Sequence, residues 1–327
     1  MKFQKRMLHH VGEHELINVM DSWYPMEMPC KEALRVQVLT WLNYAGIVKG
    51  EEKLALLERN GVHCFAARLF PLAEPSELRL VSKLFALLFI MDDLADEKRD
   101  ANFWDQVCYS SGNAGGNSSS DVHDFVDAIH KLIFSSRWSM LDCFELYFAV
   151  LLFVEAGKQE QHYRIGKLIP DLHRYWSVKS YSSGVQIAQT LMPLLMKTSI
   201  DSKYSDCFCM LQHLASKIII LENDILSFKK ESLVGDAFNM VQIRMSGSGE
   251  DENTAVQFVQ NRINQLKSSF ARTCLAHFPV LPQECLAPDA FVNGMLSEHR
   301  DWYSLACLWC MVKGSQTWSQ IDTVRYS

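Results

Sequence analysis

Hydrophobic residues recur along this chain at the three- and four-residue spacing of amphipathic helices, and convincing alternating strand patterns are absent. Segments 110–120 and 246–253 are rich in small, polar or acidic residues and are predicted as surface loops. Because the helices exceed the number in a four-helix bundle, we expect an all-α protein built as a larger bundle. The predicted helices cover about 77–96, 122–135, 140–162, 183–197, 206–230, 254–277 and 289–312.

The two loops do not resemble domain linkers. The helices on either side of them keep the same amphipathic character, and no shift in charge or composition divides the chain. We therefore expect a single domain over residues 1–327, in which about the first 30 residues can form a flexible N-terminal segment.

Charge and composition exclude several classes of protein. The 327 residues include 32 Lys and Arg against 38 Asp and Glu, so there is no basic surplus for binding a nucleic-acid backbone. No apolar run reaches the roughly 18 residues that a membrane span needs, and the N-terminus has no signal-like apolar stretch. We expect a cytoplasmic protein without stable membrane insertion, with a homodimer left open. The ten cysteines are expected to be reduced and mostly buried.

A first acidic cluster, Asp92-Asp93-Leu94-Ala95-Asp96, closes a strongly apolar run. On a helix, Asp92 and Asp96 share one face while Asp93 points aside. Like charges four residues apart repel each other, which favours a cation between them. Taken alone, the cluster is equally typical of a solvated helix end.

A second cluster closes another apolar helix. Asn223, Ser227 and Glu231 are spaced by four residues, which aligns an amide, a hydroxyl and a carboxylate along one stripe. Oxygen donors suit Mg²⁺, which keeps part of its shell for water and phosphate, so a site with few protein ligands is completed by a phosphorylated substrate. The negative C-terminal end of a helix also favours a cation.

Together, the two clusters predict a pocket with an apolar floor and a metal-binding rim. A substrate with a hydrocarbon tail and a diphosphate head requires such a pocket. Here the residues resemble a known family, the class I terpene synthases of the microbial type with a single α domain. The first cluster resembles their aspartate-rich motif, and Asn223-Asp224-x-x-Ser227-x-x-Lys230-Glu231 is similar to their second metal motif.

Two further segments carry the resemblance. Tyr175-x-x-x-Lys179-x-x-Ser182-x-Gly184 resembles the segment that holds the diphosphate-sensing arginine and a following helix break, although Lys179 stands where the family has arginine. The ending, with Trp318-Ser319 and Arg325-Tyr326, resembles that of the microbial members. The similar segments follow one another in the family's order over roughly residues 65–327.

The resemblance implies a helical bundle around a central cavity, three Mg²⁺ ions and a prenyl diphosphate substrate. Asp92 would bridge two metal ions with Asp96 in support, and Asn223, Ser227 and Glu231 would chelate the third. The residues implied to hold the diphosphate are Lys179, Lys230, Arg325 and Tyr326. Those implied at the cavity are Phe89, Trp318 and, at the helix break, Gly184. The residues implied to be catalytic are Asp92, Asn223, Ser227, Glu231, Arg325 and Tyr326.

The implied activity is the ionisation and cyclisation of farnesyl diphosphate, with fifteen carbons, to a terpene hydrocarbon or alcohol. A diterpene synthase acting on geranylgeranyl diphosphate is the alternative. A chain-elongating prenyl diphosphate synthase is less well supported, because that class typically carries two aspartate-rich motifs. A non-catalytic helical scaffold would leave both clusters unexplained.

Overall fold

The computed structural model describes the chain in segments that cover most of its first 282 residues. The described residues are 8–9, 12–22, 31–48, 50–59, 61, 65–70, 73–98, 103–104, 107, 120–196, 202–277 and 281–282. They are predominantly helical, which confirms the all-α fold class. One short antiparallel pair, β1 (Leu8–His9) with β2 (Leu281–Pro282), joins the two ends of the described part.

The helices fall into a shorter N-terminal set and a longer C-terminal set. The first set is α1 (Glu13–Ser22), α2 (Lys31–Tyr44), α3 (Glu51–Arg59) and α4 (Phe65–Leu69). The second set is α5 (Pro75–Lys98), α6 (Ser120–Phe134), α7 (Met140–Gly166), α8 (Leu172–Ser182), α9 (Val185–Met196), α10 (Ser205–Val234), α11 (Met240–Ser248) and α12 (Glu252–His277), with a 3₁₀ turn at Ser202–Tyr204.

Helix α10 is the central element of the bundle. Its residues Ile218, Ile220 and Leu221 are almost fully buried, which agrees with the apolar run that precedes the second cluster. Helix α12 packs along α10, and α1 packs against α12. Helices α8 and α9 both contact α7 and α10, while α5 packs against α2, α4 and α6. A single hydrophobic cluster connects these elements, from Leu16 on α1 to Cys274 on α12.

The predicted helices agree with the structure where the hydrophobic period is long; two predictions need correction, and several helices lie where none is predicted. The segment 246–253 was predicted as a loop, but α11 continues to Ser248 and α12 begins at Glu252. The helix predicted from 183 begins at Val185, after a break at Gly184. The N-terminal helices, α8 and α11 were not predicted from periodicity, because most of them are short. The predicted helix 289–312 lies outside the described residues, as does the predicted loop 110–120 except for Ser120, which begins α6.

Two further features of the described residues concern membrane spans and cysteines. No helix there combines the length and apolar character needed to cross a membrane. The cysteines whose side chains are described are free, and Cys143, Cys207 and Cys274 are buried while Cys209 is exposed, which agrees with the expectation that most are buried.

Candidate active site

A cavity of about 220 Å³ opens where α5, α7 and α10 meet the break between α8 and α9. Its wall brings together most of the residues singled out in the sequence: Phe89, Asp92, Lys179, Gly184, Asn223, Ser227, Lys230 and Glu231. Asp92 of the first cluster and the donors of the second, about 130 residues apart in the chain, therefore line a single pocket, as the sequence predicts.

The floor of the cavity is aromatic. Phe89 packs edge to face against Phe65, with ring centroids 5.1 Å apart, and stacks beside Phe85 at 6.2 Å. Phe153 meets Trp104 edge to face at 6.0 Å, and both rings lie on the cavity wall. These side chains give the interior an apolar surface with ring faces that favour positive charge.

Gly157 on α7 determines where the Trp104 ring lies. A Cβ atom added at Gly157 would come within 2.8 Å of Trp104 Cζ2, a separation that real Cβ atoms essentially never show. The indole therefore occupies space that any other residue at this position would claim. Both residues line the cavity, so the glycine fixes part of the cavity's shape.

On α5, Asp92 lines the cavity and is exposed, whereas Asp93 is half-buried and is not among the lining residues. This agrees with the predicted divergence of the two side chains on a helix. The backbone of Asp96 continues the same helix, but its side chain lies outside the described part, so its metal role stays a prediction.

On α10, the three predicted oxygen donors Asn223, Ser227 and Glu231, here called the oxygen stripe, line the cavity together with Lys230. Among the described residues, the buried Ser227 Oγ has no hydrogen-bond partner. An unpaired hydroxyl buried beside a carboxylate and an amide is unfavourable unless a ligand completes it. No group of three or more His, Cys, Asp and Glu side chains in the described part is arranged to hold a metal, so this mixed donor set would need ligand oxygens.

Asp224, next to Asn223, faces away from the cavity and is fully buried. Its Oδ2 accepts hydrogen bonds from Tyr175 Oη at 2.5 Å and from the Met240 backbone N–H at 2.6 Å. Burial raises the pKa of Asp224 to about 6, although the Lys179 charge and both hydrogen bonds act in the opposite direction. The side of α10 behind the stripe is thus tied to α8 and α11.

The turn after α10 brings Asn239 back beside Glu231, the last residue of the oxygen stripe. Gly235 ends the helix with φ 75°, a left-handed conformation that glycine adopts at little cost. Asn239 then caps α11, its Oδ1 accepting from the Val241 N–H. Its Nδ2 donates to Glu231 Oε2 and to the Asp224 carbonyl, both at 2.8 Å. The fully buried Asn239 amide therefore holds the orientation of the last carboxylate of the stripe.

Glu231 is held close to other negative charge. Burial, with the negative charge of Asp224 nearby, raises the pKa of Glu231 to about 7. A bound cation would stabilise the ionised carboxylate in this environment, because the cation replaces lost hydration and offsets the repulsion from the nearby negative charge. The environment is consistent with a cation site at this end of the stripe.

Lys179 on α8 contributes to the cavity wall but is largely buried, with 8% of its side chain exposed. Its Nζ lies 3.1 Å from Glu160 Oε1 and 3.9 Å from Asp224 Oδ1. Burial disfavours the ammonium, but the negative charges of Glu160 and Asp224 outweigh this and raise the pKa of Lys179 well above its ordinary value. That Lys179 holds a diphosphate stays a prediction, and two carboxylates already surround its ammonium.

Arg164, which the sequence did not single out, also lines the cavity. Its Nε donates to Asp236 Oδ2 at 2.6 Å, and Asp236 Oδ1 accepts from the Phe238 N–H. Phe153, Gly157, Glu160 and Arg164 lie on one face of α7 and all line the cavity. The spacing of Glu160 and Arg164 from Gly157 places the three on one helix face, but the same spacing occurs in any amphipathic helix, so the sequence alone does not mark this face as part of the site.

The helix break is at Gly184, between α8 and α9, where φ is 68°. An added Cβ would meet Phe153 at an ordinary 3.9 Å, so the cost of a side chain comes from the backbone. We expect Gly184→Ala to lower the free energy of unfolding by about 1 kcal/mol, since L-residues disfavour this conformation. Urea denaturation would measure the change.

A matched control is Gly247→Ala on the exposed face of α11, where the added Cβ meets no other part of the described structure within 4 Å. There the same substitution should leave stability unchanged or raise it by up to about 1 kcal/mol, because alanine favours helix. Equal losses in the two variants would contradict the argument from φ.

Three predicted site residues, Trp318, Arg325 and Tyr326, lie outside the described residues. Five residues have roles here that the sequence does not indicate, because their contacts join residues between 8 and 72 positions apart: Glu160, Arg164, Tyr175, Asp236 and Asn239.

Comparison with known proteins gives related enzymes across nearly the whole chain. (+)-Eremophilene synthase of Sorangium cellulosum is 23% identical over 93% of this chain and 91% of that protein. Pentalenene synthase of Streptomyces avermitilis is 22% identical over 89% of this chain and 87% of that protein. The crystal structure of linalool/nerolidol synthase from Streptomyces clavuligerus superposes with a TM-score of 0.69 at 18% identity, covering 91% of this chain and 99% of the other. The structural likeness confirms the fold.

The sequence profile described as "Terpene synthase family 2, C-terminal metal binding" matches residues 83–269, more than half of the chain. The matched region contains Asp92 on α5 and the whole oxygen stripe on α10, and it confirms the resemblance stated from the sequence. This chain belongs to terpene synthase family 2.

Proposed function

We propose that this protein ionises and cyclises a linear prenyl diphosphate, with farnesyl diphosphate as the first candidate, and releases diphosphate. One observation carries the proposal: an aromatic cavity opens on a stripe of oxygen donors in which the buried Ser227 Oγ has no partner among the described residues. The apolar part suits a hydrocarbon tail. The oxygen-rich part suits metal ions bound to a diphosphate head.

The family's description as metal-binding implies a metal cofactor. We propose Mg²⁺, three ions by the resemblance, because all the donors are oxygen atoms. Asp92 on one rim and Asn223, Ser227 and Glu231 on the other would hold the ions, with Asp96 in support. When bound, the ions would supply Lewis-acid stabilisation of negative charge on the departing diphosphate.

The protein's own residues would do the rest. Lys230 lines the cavity beside the stripe and would donate to diphosphate oxygens. The resemblance adds Arg325 and Tyr326, which lie outside the described residues. The allylic cation left after carbon–oxygen cleavage would be captured by water, so the aromatic wall, with Phe89 and Phe153, would exclude water and stabilise the cation by its ring faces.

The names of similar proteins favour a fifteen-carbon substrate. One relative is the (+)-T-muurolol synthase of Roseiflexus castenholzii, described as cyclizing (2E,6E)-farnesyl diphosphate, at 23% identity over 77% of this chain. Another is a sesquiterpene synthase of Cyclocybe aegerita, 24% identical over 72% of this chain. Geranylgeranyl diphosphate is the alternative that an assay must include.

The test is turnover by the full chain. The protein with Mg²⁺ would be given geranyl, farnesyl or geranylgeranyl diphosphate separately, with products identified by gas chromatography and mass spectrometry. Cyclic hydrocarbons or alcohols from farnesyl diphosphate, lost on addition of EDTA, are expected. A longer prenyl diphosphate formed on adding isopentenyl diphosphate would indicate chain elongation instead, and no diphosphate release from any substrate would contradict an enzymatic role.

Ser227→Ala should separate activity from stability. Removing a buried hydroxyl that has no described partner should leave the free energy of unfolding unchanged or raise it by about 1 kcal/mol. Removing a proposed metal ligand should at the same time lower kcat/KM by at least about tenfold. Thermal unfolding would measure the change in stability, and steady-state kinetics at saturating Mg²⁺ would measure the change in kcat/KM. A marked loss of stability would mean that Ser227 has a structural partner.

A further inference from the structure

We propose that Arg164 on α7 supplies the diphosphate contact that the resemblance gives to Lys179, and that Lys179 is instead an internal counter-ion that positions the acidic residues of the site. The inference rests on the proposed function. Arg164 and Lys179 are both cations of the cavity wall, and only one of them would touch the diphosphate.

Lys179 is poorly placed to gain a second anion. Its Nζ is within 4 Å of Glu160 and Asp224, from α7 and α10, and its side chain is 8% exposed. Glu160 is itself 12% exposed. Turning the ammonium towards a diphosphate would leave two largely buried carboxylates without their cation, which is strongly unfavourable. The same ion pairs hold α8 against both α7 and α10.

Arg164 lies on α7 one helical turn after Glu160, on the face that lines the cavity. Its side chain is 22% exposed, compared with 8% for Lys179. The Nε–H donates to Asp236 Oδ2, and Asp236 is fixed in turn by the Phe238 N–H. The guanidinium plane is therefore anchored at one edge, on the wall that also carries Lys230.

The chemistry of the two cations favours Arg164. A guanidinium has five N–H donors in a rigid plane and can bind a carboxylate through Nε while it donates to phosphate through others. An ammonium is a point charge without this geometry. The lysine at the position where the family has arginine is thus compensated by an arginine on the neighbouring helix.

The experiment compares two charge-neutral double variants of the full chain. Arg164→Gln with Asp236→Asn removes one cation together with its partner carboxylate. Lys179→Gln with Glu160→Gln removes the other cation together with the nearer of its two carboxylates and leaves the buried Asp224 in place. Both keep the net charge, and both can keep an amide-to-amide hydrogen bond. Arg174→Gln, an exposed arginine on α8, is the control for arginine loss. Binding of inorganic diphosphate in the presence of Mg²⁺ would be measured by isothermal titration calorimetry, and folding by circular dichroism.

We expect the Arg164/Asp236 variant to bind diphosphate about tenfold to a hundredfold more weakly than the wild type, as the loss of charge-assisted hydrogen bonds requires. The Lys179/Glu160 variant should lose less than about threefold and unfold at a lower temperature, because its pair is structural. Arg174→Gln should bind like the wild type. Equal losses in the two double variants, or the larger loss at Lys179, would overturn the inference.

Arg164→Lys provides a second readout if the double variant does not fold. It keeps the charge and the ion pair with Asp236 but lacks the planar donors, so diphosphate binding should fall by about threefold or more; unchanged binding would overturn the inference. If the wild type binds no diphosphate with Mg²⁺ and turns over no substrate, the proposed function fails as well. If the wild type binds and turns over while the Arg164 variants match it, the present inference alone fails.

Discussion

Asn223→Ala is expected to lower kcat/KM for a prenyl diphosphate by more than about 100-fold, since even partners of metal ligands commonly contribute 10- to 100-fold. Asn223 is half-buried on the cavity wall, and its amide begins the oxygen stripe of α10. Its removal takes away a proposed ligand while the core behind α10 is untouched. The free energy of unfolding should change by less than about 1 kcal/mol. Product formation over a range of Mg²⁺ concentrations, with urea denaturation, would measure both effects.

Asp92→Ala, on the part of the cavity wall formed by α5, should give a loss of the same order, again with the fold intact, because Asp92 is exposed. Two neighbours are controls. Asp93→Asn changes a residue that does not line the cavity, and Ser232→Ala changes an exposed residue directly after Glu231. Both should retain most of the activity. Near-wild-type turnover in Asn223→Ala and Asp92→Ala would refute the proposed site, and a greater loss at Asp93 would reverse the assignment of faces on α5.

Asn239→Ala is expected to damage both stability and activity. The variant loses the N-cap of α11 and leaves the Glu231 carboxylate and the buried Asp224 carbonyl without their amide donor. Together these losses should lower the free energy of unfolding by about 2–4 kcal/mol. Activity at a permissive temperature should fall by about 10- to 100-fold, because a carboxylate that has lost its orienting partner binds a cation less well.

Asn239→Ser separates the two effects. A serine hydroxyl can cap the helix but is too short to replace the amide that reaches Glu231, so part of the stability should return without the activity. Asn261→Ala, on the exposed side of α12, is the surface control and should match the wild type. If Asn239→Ser restored full turnover at wild-type Mg²⁺ affinity, the orientation of Glu231 would not depend on this residue.

The sequence predicted the helices that form the frame of the site, and it did so for a physical reason. Helices α5, α7, α10 and α12 exceed twenty residues and bury one continuous face, so their hydrophobic period is repeated often enough to recognise. The five-residue α4 and the nine-residue α3 and α11 repeat it too few times. Their positions depend on tertiary packing that local periodicity does not encode.

Within the site, the sequence predicted the oxygen donors on the cavity wall, but it predicted neither the cavity-lining Arg164 nor the residues that hold the donors in place. Asn223, Ser227 and Glu231 can be recognised because their spacing alone aligns them on a helix. Arg164 and Asp236 are 72 residues apart, and Tyr175 and Asp224 are 49 apart, so no local pattern joins either pair. Such contacts exist only after α7, α8 and the turn after α10 have come together.

Because Gly157 lies so close to Trp104, a substitution there can change the shape of this pocket without changing its charged and oxygen-donor groups. A single methyl group on α7 would force the indole to a new position, so the volume available to a folding hydrocarbon chain would change in one step. The oxygen donors on α5 and α10 would be unaffected, because neither is in that contact. On the proposed function, exchanging this one small residue would change the space in which the substrate chain folds, so the same position is where an engineer would begin to alter the product.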